Sequence, residues 1–458
     1  MIKDFKFDLQ MFAEPADVGL MLKHLEPAMK LKYLPKMIRV TNERNYLRNE
    51  IERRGQSENV GKEYEKKFQI GKSEGFGMRP YNAKIPAARQ SRYAKLKGTV
   101  KHQYGRIRIW GANIDFTNAD WKAVVDGVKN EIKSYVEAYK TNITRMMIWD
   151  GGESPLAVAS ACTDANPCVV TLDDTNTRNP VKYLRVGMPI DFIDPNSNQV
   201  ITNGKQVIDT VINQTQFTFV ATDSNGDEIT GGDRTALATA IANAKIYREG
   251  NYNAEWHGLW SIFGKDNNTI ADINRALDSS WWYRPEVWRV ASTGGIEKNY
   301  KSGTNRDWGI QDLRRFVNGI LIGQNGATEK DLTIFMNDDV GDYYVQLWDN
   351  RGGYHEQGPK VDAWPYRTLY FQGIPILTDY FFLDNVIFAV DMSEMVHFKC
   401  TDMKWQNLTG GTMWEWIHDY DAYEAYTVER GEYGGYNVQR GGALWDVNGY
   451  SDQVPDED

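Results

Sequence analysis

Cysteine and histidine are scarce in this chain, and no long apolar run occurs. Three cysteines among 458 residues, Cys162, Cys168 and Cys400, are too few and odd in number for a disulfide framework, which fits a reducing compartment. Together with six scattered histidines they offer no zinc-ligand spacing. The longest aliphatic or aromatic run, near Val386 to Val390, is far too short to cross a bilayer. The opening Met-Ile-Lys-Asp-Phe-Lys interleaves charge with apolar residues and lacks a signal peptide's continuous core, so the expectation is a protein that stays where it is made.

Catalytic spacings are missing too. Gly71-Lys72-Ser73 has the end of a phosphate-binding loop, but Lys66 stands where the upstream glycine is required. Asp223, Asn225 and Asp227 have the spacing of a calcium loop, yet Glu228 replaces the turn glycine and Arg234 the bidentate acid, so a hairpin turn is the reading. Glu415 and His418 form one Glu-x-x-His where a di-metal site needs two. No Gly-x-Ser-x-Gly elbow occurs. Nothing implies a catalytic residue, a cofactor or a metal.

The strongest positive signal is one long helix from Thr117 to Gly152. Trp121, Val124, Val125, Val128, Ile132, Tyr135, Val136, Tyr139, Ile143 and Met146 recur at steps of three and four and make one buried stripe. Thr117 and Asp120 have capping-box spacing, and Gly151-Gly152 supply the exit. Before the helix, Lys72 to Arg108 holds ten basic residues against Glu74 alone, a net of +9, with almost no helical stripe. Alternation over Val100 to Ile114 predicts a strand. A basic ribbon without its own core should lie on a partner surface. Tyr81, Tyr93, Tyr104 and Trp110 interleave with its cations, which also admits a single-strand nucleic-acid groove. The chain as a whole is acidic at −9, and residues 411 to 458 carry eleven acids against Arg430 and Arg440. Opposite charges in distant segments point to head-to-tail attraction between copies, favoured here over nucleic-acid binding.

Taken in order, residues 1 to 37 read as irregular around Pro15, Pro27 and Pro35, and Thr41 to Lys67 as a thin helix or loose arm. After Pro155, short β-branched runs at Cys168–Leu172, Val186–Ile193, Gln206–Ile212 and Gln216–Ala221, punctuated by Asp, Asn, Ser and Gly, predict a small all-β insertion. Residues 256 to 293 have helical texture, including Ile270, Ile273, Leu277 and the Trp281-Trp282 pair. A helix at 307 to 323, a strand at 332 to 336, a helix at 340 to 348, a Gly-rich loop at 350 to 358 and strands at 375 to 378 and 386 to 390 suggest an α/β unit. Residues 422 to 447 read as strand bent by Gly431, Gly434 and Gly435.

This order of parts, together with the opening Phe7-Asp8-Leu9-Gln10-Met11-Phe12-Ala13 and the passage from Val186-Gly187-Met188-Pro189 to Tyr247-Arg248-Glu249-Gly250-Asn251, resembles the major capsid protein of tailed double-stranded DNA bacteriophages. The resemblance spans nearly the whole chain on soft motifs. It implies an α+β fold: an N-terminal arm (1–70), an extended loop (71–116) and a spine helix of the peripheral domain (117–154). A β-rich insertion (155–250), more peripheral domain (251–305), an axial domain (306–395) and a return to a C-terminal strand (396–458) complete it. It implies a non-enzymatic shell subunit forming hexamers and pentamers around double-stranded DNA, which it encloses without sequence-specific binding. It further implies assembly in the host cytoplasm with a separate scaffolding protein, a portal and, in some members, a decoration protein. On this pattern Arg89, Arg92, Lys95, Lys97, Lys101, Arg106 and Arg108 are the extended-loop interface residues, and Arg351, Gly352, Gly353 and Tyr354 the capsomer-axis loop. Lys95 and Lys97 lie where some relatives crosslink a lysine to a neighbour's asparagine, though most do not. Alternatives are an encapsulin-like nanocompartment shell and, in another class, a carbohydrate-active or carbohydrate-binding protein built on Glu415, Asp419, Asp421 and Glu424.

Overall fold

A computed structural model describes residues 46–81, 83–110, 121–175, 179–223, 226–322, 332–349, 369–406, 414–417 and 421–449. Helix α1 (Tyr46–Arg54) leads into strands β1 (Gln56–Asn59), β2 (Glu63–Gly71), β3 (Arg92–Thr99) and β4 (Lys101–Trp110), then the long helix α2 (Trp121–Ile148). Next come β5 (Ala157–Cys162), β6 (Cys168–Leu172), β7 (Pro189–Ile193), β8 (Val200–Val211), β9 (Gln216–Phe219), helix α3 (Gly232–Ile241) and β10 (Lys245–Arg248). Short elements α4 (Leu259–Phe263), β11 (Thr269–Ile270) and β12 (Ile273–Asn274) precede β13 (Glu286–Val290) and β14 (Ile296–Glu297). Then follow α5 (Ile310–Ile322), β15 (Leu332–Met336), α6 (Asp338–Asp349), β16 (Leu369–Phe371), β17 (Ile374–Thr378) and β18 (Val386–Asp391). Strands β19 (Met395–Trp405), β20 (Glu415–Trp416), β21 (Ala422–Gly435) and β22 (Gly441–Trp445) close the order, an α+β arrangement.

The chain forms two units. One comprises Met1–Asn49, His102–Ile143 and Lys399–Gly431; the other comprises Glu50–Lys101, Thr144–Phe398 and Glu432–Asp458.

In the first unit, β4 lies beside β21, whose other neighbours are β19 and β20. The stripe expected of α2 is buried at Ile132, Val136, Tyr139 and Ile143, while Glu131, Lys133 and Glu137 on the other side are exposed. The helix meets β21 through hydroxyls. Tyr139 donates to the buried carboxylate of Glu429, which also accepts from Arg48 at 2.9 Å, and Tyr135 shares a hydrogen bond with Thr427. The capping residues Thr117 and Asp120 lie outside the described residues.

The second unit contains a seven-stranded mixed sheet in the order β14-β13-β22-β18-β15-β17-β16. Every residue of β15 and β18 is buried, as expected of strands covered on both faces. Leu313, Phe316, Val317 and Ile320 of α5 and Val340 and Tyr344 of α6 form one core with them. The β insertion is a closed barrel, β10-β5-β6-β9-β8-β7, filled by Val170, Phe192, Ile208, Phe217, Phe219 and Ile246. Asp223 and Asp227 form a turn, with Asp227 N–H donating to the Asp223 side chain at 2.9 Å, in line with the hairpin reading of that stretch. No helix among the described residues is long and apolar enough to cross a membrane.

Two expectations need correction. The helical texture at 256 to 293 yields α4 and a 3-10 helix at Asp278–Tyr283 that holds the Trp281-Trp282 pair; Ile270 and Ile273 instead pair across a tight β11–β12 hairpin, with Ala271 at φ 53°. A spacing of three arises in such a turn as readily as along a helix, and left-handed backbone rules the helix out. The thin helix of 41 to 67 ends at Arg54, and β2 follows with alternating burial at Tyr64, Lys66 and Phe68, a period of two that its charged neighbours obscure.

The barrel is fastened to the sheet region by a buried lysine. Lys182, in a 3-10 turn at Pro180–Tyr183, donates to the Phe382 carbonyl and to Asp384 Oδ1, both at 2.7 Å. Asn337 donates to the same two acceptors at 2.9 and 3.0 Å. Burial pushes the lysine's pKa down, and Asp384 opposes that shift. Replacing Lys182 with Met leaves Asp384 without its counter-charge, so urea unfolding should report a loss of about 3 kcal/mol, the scale of a broken buried pair.

Candidate subunit interface

Strands β2 and β3 make a two-stranded hairpin that no other strand among the described residues joins. Its register pairs Glu65 with Lys97 and Lys67 with Lys95. The ribbon has two unlike faces. Outward, Lys95 bonds Glu65 and Lys97 bonds Glu63, each at 2.8 Å, and these hydrogen bonds hold both exposed carboxyls below their ordinary range. Inward, Tyr64 and Leu96 are buried.

Tyr64 fixes the root. Its ring stacks on Phe398 with centroids 4.0 Å apart and planes within 10°, and its hydroxyl end lies against Gly98, where any Cβ would overlap the Tyr64 atoms. Farther along, Phe68 packs on Trp282 at 5.5 Å, and the Lys97 N–H donates to Asp272 Oδ1 at 2.8 Å. Lys66 pairs with Glu58 and lies 4.4 Å above the Tyr436 ring.

Beyond the strands the legs stay together. Ser73 Oγ donates to the Arg89 carbonyl, and Gly75 approaches the Arg89 backbone. The tip then presents large apolar side chains to water: Phe76 is 77% exposed, Met78 100%, Tyr81 95% and Ile85 84%. Residues 72 to 91 carry Lys72, Arg79, Lys84 and Arg89 against Glu74. Apolar area left in water at roughly 25 cal/mol per Å² marks a surface that is stabilised by being covered.

The seven basic residues expected at the subunit interface fall into three groups. Arg89 and Arg92 are exposed on the legs; Lys95 and Lys97 are tied to Glu65 and Glu63; Lys101, Arg106 and Arg108 turn to acids of the same chain. In the second unit, Lys101 donates to the Glu255 carbonyl and lies 3.6 Å from Glu432 Oε2 and 3.5 Å from His257 Nε2. Glu432 is buried and accepts the backbone N–H of His257 at 2.8 Å and of Tyr433 at 3.0 Å. Burial pushes its carboxyl up, which Lys101 partly offsets, and burial likewise drives His257 well below its usual value. Arg145 bonds both oxygens of the Glu255 carboxylate.

In the first unit, Arg108 donates to Glu424 Oε1 at 2.6 Å, Arg106 lies 3.5 Å from Oε2, and Tyr426 donates to Oε2 at 2.5 Å. For these three cations the expected attraction between copies is met inside one chain. Sequence spacing hid the match, because Arg108 and Glu424 are 316 residues apart. Tyr64 and Gly98, also missed, carry only the signal of period-two alternation.

Burial would raise the Glu424 carboxyl, but the bonds from Tyr426 and Arg108 and the charges of both arginines outweigh it and hold it low. Such a group suits an anchor, not the proton donor that sugar hydrolysis needs. Its cross-strand neighbour is Glu415, while Asp419, His418 and the loop residues Arg351, Gly352, Gly353 and Tyr354 lie outside the described residues. Among the described residues no group of three or more His, Cys, Asp or Glu is placed to hold a metal.

No protein-family model and no curated protein sequence matches the chain. Solved structures similar to it include two capsids and an encapsulin. The capsid asymmetric unit of Cyanophage A-1(L) has 10% identity and a TM-score of 0.48, with 86% of this chain and 90% of that chain covered. The capsid of the native GTA particle has 9% identity and a TM-score of 0.44, covering 87% and 90%. The SrpI encapsulin complex of Synechococcus elongatus PCC 7942 has 6% identity and a TM-score of 0.42, covering 87% of each.

Replacing Glu424 with Gln should cost about 2 kcal/mol at neutral pH, the scale of hydrogen bonds to a charged group. Because the folded carboxyl titrates below the ordinary 4.5, its stabilisation is complete above that pH and is lost as pH falls through the depressed value. Denaturation curves of the two proteins should therefore converge on acidification. Gly98→Ala should lower stability by about 1–3 kcal/mol through overpacking on Tyr64, measured the same way.

Proposed function

We propose that this chain is the shell-forming subunit of a tailed phage, a structural protein without catalysis. Copies join through the β2–β3 hairpin into hexamers and pentamers that enclose double-stranded DNA. The observation that carries this is the hairpin itself: a clamped root, and a tip that exposes Phe76, Met78, Tyr81 and Ile85 in a stretch that also carries Arg79, Lys84 and Arg89. An apolar tip on a fixed stalk is costly for a lone molecule and useful to one that is never alone. A tip that fits a different surface on the next copy makes a heterologous contact, the kind that closes rings. Many modest contacts of one type then hold a container against internal pressure.

On this reading assembly takes place in the host cytoplasm, with a separate scaffolding protein and a portal, and the finished subunit is part of the virion. The barrel is closed and has no free strand edge, so a decoration protein would have to be recognised there by side chains. The enclosed DNA is held without sequence-specific contacts.

Changing Arg79, Lys84 and Arg89 together to Glu should leave circular dichroism and the melting transition unchanged yet abolish rings and particles in sedimentation velocity and electron micrographs. Particles of normal yield from that variant would sink the hairpin's role. Particles from infected cells should protect double-stranded DNA from added nuclease; particles consistently filled with protein alone would point to a nanocompartment instead.

A further inference from the structure

The turn at Asp278–Tyr283 carries an apolar face that the described residues leave partly exposed. Tyr283 is buried, and its hydroxyl donates to the Gly435 carbonyl at 2.9 Å, while Gln439 donates to the Trp281 carbonyl at 3.1 Å. Both bonds fix the backbone of the turn. They leave Trp281 46% exposed and Leu277 54% exposed, next to a Trp282 ring that is packed on Phe68 of the hairpin stalk. Asp278 stands fully in solvent beside them, with Arg284 at 3.6 Å, and Asp272 is exposed nearby in sequence.

We propose that this Trp281 face receives the hairpin tip of a second copy of the chain, an inference that rests on the assembly reading above. The chemistries match. The tip offers Phe76, Met78, Tyr81 and Ile85 with Arg79, Lys84 and Arg89; the face offers an indole, a leucine and carboxylates. Indole rings attract arginine and lysine cations and methionine sulfur, and buried Trp, Tyr and Arg dominate the energetics of protein contacts. The tip's cations, set against the exposed carboxylate of Asp278 that shares the turn with Arg284, give the contact orientation and register.

The tip belongs to another molecule, because its own stalk holds it away. Phe68 touches Trp282, the legs remain side by side through Ser73 and Arg89, and Met78 lies ten residues beyond Phe68, up to about 30 Å of extended chain. Within one chain Phe76, Met78, Tyr81 and Ile85 of the tip and Trp281 of the face are all exposed, so the tip is not seated on its own face. The contact therefore pairs two different surfaces on successive copies.

The test uses two full-length variants. The face variant carries Trp281→Ala and Leu277→Ser; the tip variant carries Phe76→Ser, Met78→Ser and Tyr81→Ser. All five side chains are exposed, and circular dichroism with thermal melting verifies that both variants fold. Each alone should sediment as a monomer under conditions where the unaltered chain forms rings or shells. An equimolar mixture should give one-to-one heterodimers and nothing larger, since each pair has one intact tip, one intact face and no way to continue. A face variant that assembles like the unaltered chain overturns the receptor assignment and leaves the assembly reading standing. So does a mixture that forms no heterodimer. An unaltered chain that never assembles removes the assembly reading, and this inference with it.

Discussion

The hairpin depends on one aromatic clamp. A two-stranded ribbon buries little and is marginal in water by itself, so it needs a fixed base. Tyr64 supplies that base, with its ring stacked on Phe398 and its hydroxyl end against the bare backbone of Gly98. The remaining root contacts, Phe68 on Trp282 and Lys66 between Glu58 and the Tyr436 ring, take their positions along a strand already held there. A well-held base lets the far end bind without first being ordered, and ordering costs are what most often weaken association.

Charge is divided along the same lines. Cations nearest the root and on β4 are neutralised at home, by Glu432 in one unit and Glu424 in the other. Those midway sit in exposed pairs with Glu63 and Glu65, which contribute little to stability and keep the outer face soluble. Only toward the tip do basic residues outnumber acids without such partners among the described residues. The apparent +9 ribbon is thus a graded surface, and its unspent charge coincides with its exposed apolar groups.

Much of the fold was legible. The β6 and β15 bounds follow directly from their short β-branched and apolar runs, and α5 from its stripe of Leu313, Phe316, Val317 and Ile320, because burial on both faces or on one stripe leaves a plain period. The α2 stripe was equally clear. Elements whose residues answer to distant partners were not. Strand β2 reads as a charged arm until Lys95 and Lys97 are seen to pair with its Glu65 and Glu63, and the Ile270–Ile273 spacing mimics a helix until the turn at Ala271 is seen. At the candidate interface the basic stretch was visible, but which of its cations remain available is decided by Glu424 and Glu432, and no local pattern announces them.

The barrel's first and last strands are neighbours: β5 pairs with β10, and the Leu156 N–H donates to the Ile246 carbonyl at 2.8 Å. The polypeptide leaves the body of the protein and returns through a single doorway. Whatever lies between those doorposts can lengthen, shrink or be exchanged over evolutionary time without altering the path on either side. Lys182 then acts as the bolt that any replacement module would have to supply for itself, which makes this region a cassette with a lock.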